Sequence, residues 1–136
     1  MPLPDVFDIR YGEDAAWHMK FGFLARELLE IAPVVTYRLI DSEVWTSSSL
    51  QNSYEALVLS IFGEDAPEEL QFTAEHGMKF VEVVRLTTLS AWDATIFVPG
   101  LIKLLFDDDE FVTVEKLGPL GEDLEAFLQK YLPQSN

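Results

Sequence analysis

The sequence predicts the α+β class: a mostly antiparallel sheet of about five to seven strands, with three to four helices packed mainly on one face. Three observations carry this. Runs rich in β-branched and aromatic residues follow one another across short polar connections, as antiparallel strands do. Two long stretches, 14–31 and 50–62, repeat apolar residues every three or four positions, the period of an amphipathic helix. The resulting order, β-α-β-β-α-(α)-β-β-β-β-α, sets several consecutive strands side by side. With 136 residues the chain is expected to form one domain, 1–136, since domains run to roughly 100–200 residues.

Val6–Tyr11 alternates, with Phe7, Ile9 and Tyr11 on one face and Asp8 and Arg10 on the other, and reads as a strand with one wet face. Gly12-Glu13-Asp14 breaks it. From Asp14 to Ile31 a helix is expected, because Trp17, Phe21, Leu24, Leu28 and Ile31 make one apolar stripe. Glu13 and Asp14 suit the positive end of its dipole, and Pro33 stops it. Val34–Ile40 is a strand, Asp41-Ser42 a turn, and Glu43–Thr46 a returning strand that carries Trp45. Any of Ser47, Ser48 and Ser49 suits the cap of the next helix, Leu50–Phe62, which Gly63 ends.

Pro67 suits the first turn of a short helix. Leu70–His76 reads as helix or strand, with helix preferred and Gly77 ending it. Lys79–Leu86 holds apolar residues on both faces, so Met78–Leu89 is expected to be a long central strand. Ala94–Val98 is a further strand, closed by Pro99-Gly100. Leu101–Phe106 and Phe111–Lys116 form a hairpin around Asp107, Asp108, Asp109 and Glu110. That tip must stay in water, since four adjacent carboxylates are too costly to desolvate unpaired. Gly118-Pro119-Leu120-Gly121 is a turn. Glu122–Leu132 is a terminal helix with Leu124, Phe127, Leu128 and Tyr131 inward.

Charge is the strongest compositional feature: 24 acids against nine bases, a formal net charge of −15. Such a field opposes nucleic-acid phosphates and anionic membranes and favours basic partners, although solubility alone also accounts for acidity. The acids are unevenly spread. Residues 39–78 contain no Lys or Arg but hold Asp41, Glu43, Glu55, Glu64, Asp65, Glu68, Glu69 and Glu75. The absence of cysteine excludes disulfides, thiolate metal sites and cysteine nucleophiles. The first residues lack the basic and apolar regions of a signal peptide, and no apolar run approaches the ~20 residues of a membrane span. A cytoplasmic location is expected.

Motifs for chemistry fail one by one. Counted from Asp107, a calcium loop needs Gly sixth and Glu twelfth, where this chain has Val112 and Gly118. His18 stands one turn after Asp14, but no nearby His or Cys completes a zinc site. His76, before Gly77, reads as helix-end chemistry. The serines lack the Gly-x-Ser-x-Gly frame, and Gly118–Gly121 lacks the lysine of a phosphate loop. No catalytic residue, metal or cofactor is expected.

These observations point to a small binding module that holds and inhibits a basic protein, such as a toxin or nuclease. Glu64, Asp65, Glu68, Glu69, Asp107, Asp108, Asp109 and Glu110 would steer the partner, with Trp45 as an aromatic anchor. In size, charge and lack of a catalytic motif the chain is similar in character to bacterial immunity proteins and nuclease inhibitors. Two other classes stay open. One is an enzyme or ligand-binding domain with a pocket between sheet and helices, starting from Trp92-Asp93 or Trp17-His18. The other is an assembly subunit with Phe97, Leu101 and Leu105 at a homomeric interface. Oligomeric state is not set by the sequence.

Overall fold

The structure is a computed structural model that describes residues 4–10, 15–39, 47–90, 93–107 and 111–129. Among these residues six strands form one antiparallel sheet. They are β1 (Val6–Arg10), β2 (Val35–Leu39), β3 (Glu69–Phe72), β4 (Asp93–Val98), β5 (Ile102–Asp107) and β6 (Phe111–Lys116). Their spatial order is β1-β6-β5-β4-β2-β3. Four helices, α1 (Ala15–Ile31), α2 (Ser48–Phe62), α3 (Met78–Ser90) and α4 (Glu122–Gln129), cover one face. The α+β class and antiparallel sheet read from the sequence are those found.

Period-two patterning explains the sheet. Phe7 and Ile9 of β1, Val112 and Val114 of β6, and Ile102, Leu104 and Phe106 of β5 all point to the helices and are buried. Ala94, Ile96 and Val98 of β4, Val35 and Tyr37 of β2, and Leu70 and Phe72 of β3 continue that layer. Alternate residues face away from it. The predicted hairpin is present as β5 and β6, with Asp107 opposite Phe111 in register. Asp107 therefore ends a strand instead of opening the turn.

The helices close the core from above. Phe21, Leu24, Ala25 and Leu28 of α1 are buried, and the Phe21 ring meets Phe106 of β5 edge-on at 5.2 Å. Gly22 lets α1 and α3 approach closely, since a Cβ there would lie 3.0 Å from Val81 Cγ1. Ile31, expected in the stripe, is half exposed, because the buried line of α1 continues through Leu28, Leu29 and Ala32 and leaves Ile31 at its edge. Ser47 caps α2: its Oγ accepts from the Leu50 backbone N–H at 3.3 Å. Gly63 ends that helix with φ +82°.

Two expectations are overturned. Met78–Ser90 is helix α3 and not a central strand. Its buried residues are Phe80, Val83, Val84, Leu86, Thr87 and Thr88, all but Leu86 at three- and four-residue spacing, while Lys79 is exposed. The β-branched content suggested a strand, but packing against α1 decides the outcome, as tertiary context overrides propensity. Thr87 and Thr88 fit a buried helix because their hydroxyls donate back to the carbonyls of Val83 (2.9 Å) and Arg85 (3.0 Å). Conversely, the Leu70–His76 segment opens as strand β3, with Leu70 and Phe72 in and Glu69 and Gln71 out. Only Ala74–His76 is helical, a single 3₁₀ turn, and Pro67 begins no helix. Four alternating residues are too few to separate the two periods. The expected strand Glu43–Thr46 lies outside the described residues.

Candidate functional site: the acidic end of the sheet and its open face

Register brings distant acids to one end of the sheet. Glu69 pairs with Arg38, Arg38 with Thr95, Thr95 with Leu105, and two residues further along the strands Asp93 pairs with Asp107. The chain therefore enters β3 through Glu64–Glu68 at the same end where β5 stops and β6 starts. Three strand spacings, about 14 Å, separate β3 from β5. Glu64, Asp65, Glu68 and Glu69 are all exposed. Asp93 and Asp107 are register partners on adjacent strands. Among the described strand residues two bases share this end. Arg10 closes β1, and Arg38 stands 3.7 Å from Glu68, an exposed pair that contributes little.

Of the residues singled out in the sequence, Glu64, Asp65, Glu68, Glu69 and Asp107 thus converge on one end. Asp108, Asp109, Glu110 and Trp45 lie outside the described residues. No known protein family, curated protein or solved structure matches this chain.

A cavity of about 510 Å³ opens on the face of the sheet that no described helix covers, lined by Thr36, Arg38, Glu69, Thr95, Phe97 and Lys103, with Pro99 at its rim. Sequence reading passed over Arg38, Thr95 and Lys103. They occupy the outward positions of alternating strands, so the period-two pattern was the signal that could have found them. No helix among the described residues is long and apolar enough to cross a membrane, and no three metal-ligating side chains cluster there.

The buried polar groups serve the fold. Thr87 Oγ1 donates to the Val83 carbonyl and so accepts from the Tyr37 hydroxyl, which in turn interacts with Tyr54. Burial raises the Tyr37 phenol well above its ordinary range, and the neighbouring Tyr54 adds to this. Burial likewise pushes the Tyr54 phenol up to about 12. His76 Nδ1 accepts from the Thr73 N–H at 2.9 Å and caps the 3₁₀ turn, its ring meeting Phe72 edge-on at 5.2 Å. That is a structural histidine. His18 belongs to α1, and its expected neighbour Asp14 lies outside the described residues.

Proposed function

We propose that this protein is a binding module for a basic protein, engaged at the acidic end of the sheet. The observation that carries the proposal is the register that brings Glu64–Glu69 and Asp107 to the same end, with Asp93 opposite Asp107. Like charges gathered at one end weaken the isolated fold and are relieved by a cationic partner. In a chain of net charge −15 the field also draws such a partner in, raising association rates by about 10–10³-fold at low salt. A toxin or nuclease held this way has its cationic working face covered. That is the action of an immunity protein or nuclease inhibitor, and it is the finer form of the proposal.

The test compares two variants of equal charge. One neutralises Glu64, Asp65, Glu68 and Glu69 to their amides; the other does the same to Glu55, Glu122, Asp123 and Glu125. Association with a purified basic ribonuclease is followed by stopped flow from about 50 to about 500 mM salt, across which screening becomes nearly complete. The first variant should bind roughly tenfold more slowly than the second at low salt. Equal rates for the two, or a rate indifferent to salt, would remove the sheet end as the site.

A further inference from the structure

We infer that His76 is an acid-sensitive latch between strand β3 and helix α3. As a neutral imidazole it holds the turn that joins them, and on taking up a proton it lets go. The inference concerns the fold and stands whatever the acidic end of the sheet binds. Thr73-Ala74-Glu75-His76 has the spacing of a capping box. In that motif a Ser or Thr is followed three residues later by a Glu or Gln, whose side chain accepts the backbone N–H of the first residue. Here a histidine stands in the last place. Its Nδ1 accepts from the Thr73 N–H at 2.9 Å, and its own backbone N–H donates to the Thr73 carbonyl at 3.0 Å, closing a ring.

The exchange of residue type changes the chemistry. A glutamine oxygen accepts at every pH. A neutral imidazole has one acceptor nitrogen, and an imidazolium has none. With Nδ1 engaged as acceptor, the proton of the neutral ring sits on Nε2. A second proton at Nδ1 points a donor at the Thr73 N–H, so the bond is broken and not merely lengthened. The turn carries more than its own geometry. Among the described strands β3 lies at the edge, paired with β2 alone and four residues long. Gly77 follows His76 with φ +48° and ψ −120°, a conformation that side chains rarely adopt. Its carbonyl accepts from the N–H groups of Phe80 (3.1 Å) and Val81 (3.4 Å), which open α3. The imidazole ring itself meets Phe72 of β3 at 5.2 Å and Phe62 of α2 at 5.8 Å.

The charged groups around the ring offer an imidazolium no substitute bond. Glu75 in the same turn and Lys79 in the first turn of α3 are both exposed. Further along α3, Glu82 is engaged by Arg85. Glu64 and Asp65, which follow Phe62, are exposed, and Glu69 stands at the opposite end of β3. On α1, Arg26 and Glu30 share a cleft with Ala74 and Gly77 and face each other at 3.9 Å. Among the described residues His76 forms no ion pair.

Amide hydrogen exchange followed by NMR on the full chain at about pH 8 and about pH 5 tests the latch, with each rate corrected for its intrinsic pH dependence. Histidine side chains change charge across that interval, while ordinary carboxylates titrate below it. Protection of the Thr73 N–H should fall about tenfold at the lower pH, the fold-change that one hydrogen bond of ordinary net strength carries. Protection of Ile96, in the middle of the sheet, should not change. Imidazole nitrogen shifts should place the proton of His76 on Nε2 at pH 8 and protons on both nitrogens at pH 5. His76→Gln completes a capping box that does not titrate and should keep Thr73 protected at both pH values. That variant retains His18, so any effect of the other histidine persists in it. His76→Leu should lose the protection about tenfold at both. Equal protection of Thr73 at the two pH values in the parent, or a loss on acidification that His76→Gln leaves in place, would overturn the inference. So would a proton found on Nδ1 at pH 8.

Discussion

Replacing Thr87 by valine keeps the shape of the side chain and removes one hydroxyl. That hydroxyl accepts from Tyr37, whose side chain is fully buried. The Tyr37 O–H would lose this acceptor and be left sharing the Tyr54 hydroxyl, and a buried donor whose hydrogen bond is lost or weakened costs about 1–3 kcal/mol. Unfolding entropy near the midpoint is about 2.1 cal/mol/K per residue, or roughly 0.29 kcal/mol/K for this chain, so Tm should fall by about 4–10 °C. Tyr37→Phe removes the donor instead. Thr87 still donates to the Val83 carbonyl at 2.9 Å, and Tyr54, at 8% exposure, can turn its hydroxyl to water. That variant should lose only about 0.5–1.5 kcal/mol. Combining the two should cost less than the sum, with a coupling of about 1–2 kcal/mol, since the orphaned donor is gone. Thermal and urea unfolding of the four proteins would measure this. Thr87→Val within about 0.5 kcal/mol of the parent, or strict additivity of the pair, would refute the assigned direction of the hydrogen bonds.

Alkaline stability should follow the tyrosines. Tyr54 titrates at about 12 in the folded state against 10.0 for the free phenol. The raised value means its contribution is whole below pH 10 and is lost as pH rises through 12, amounting to about 2–3 kcal/mol, which denaturant titrations at pH 9 and above would show. Gly118→Ala should destabilise strongly, by about 2–4 kcal/mol. A Cβ there would sit 2.1 Å from the Gly100 carbonyl oxygen, a backbone atom that cannot swing aside. A Tm within a degree of the parent would show that the two loops separate freely. Ser47→Ala should cost about 1 kcal/mol by removing the cap of α2, with fluorescence-monitored unfolding as the readout.

Much of this molecule can be read from residues alone. Alternation in Val6–Tyr11, and β-branched and aromatic content in Val34–Ile40, Ala94–Val98 and the hairpin Leu101–Lys116, mark those strands, because such residues suit a pleated, half-buried surface. The stripe in 21–28 and the Ser47 and Gly63 signals mark α1 and α2 for equally local reasons. Net charge, the base-free span 39–78 and the lack of cysteine are composition, and folding does not alter them.

Other properties exist only once the chain is packed. Whether Val83, Val84, Thr87 and Thr88 lie in a strand or a helix depends on a neighbour, α1, whose Gly22 faces Val81 from 59 positions earlier in the chain. The gathering of Glu64–Glu69 with Asp107 depends on strand order, with β2 and β4 between them, and no local periodicity encodes which strands become neighbours. The uncovered face is decided in the same way: outward residues such as Phe97 and Lys103 look alike in sequence whether a layer covers them or not. Periodicity records which side of an element is apolar. Only the three-dimensional arrangement settles what lies across from it, because that is fixed by contacts between residues far apart along the chain.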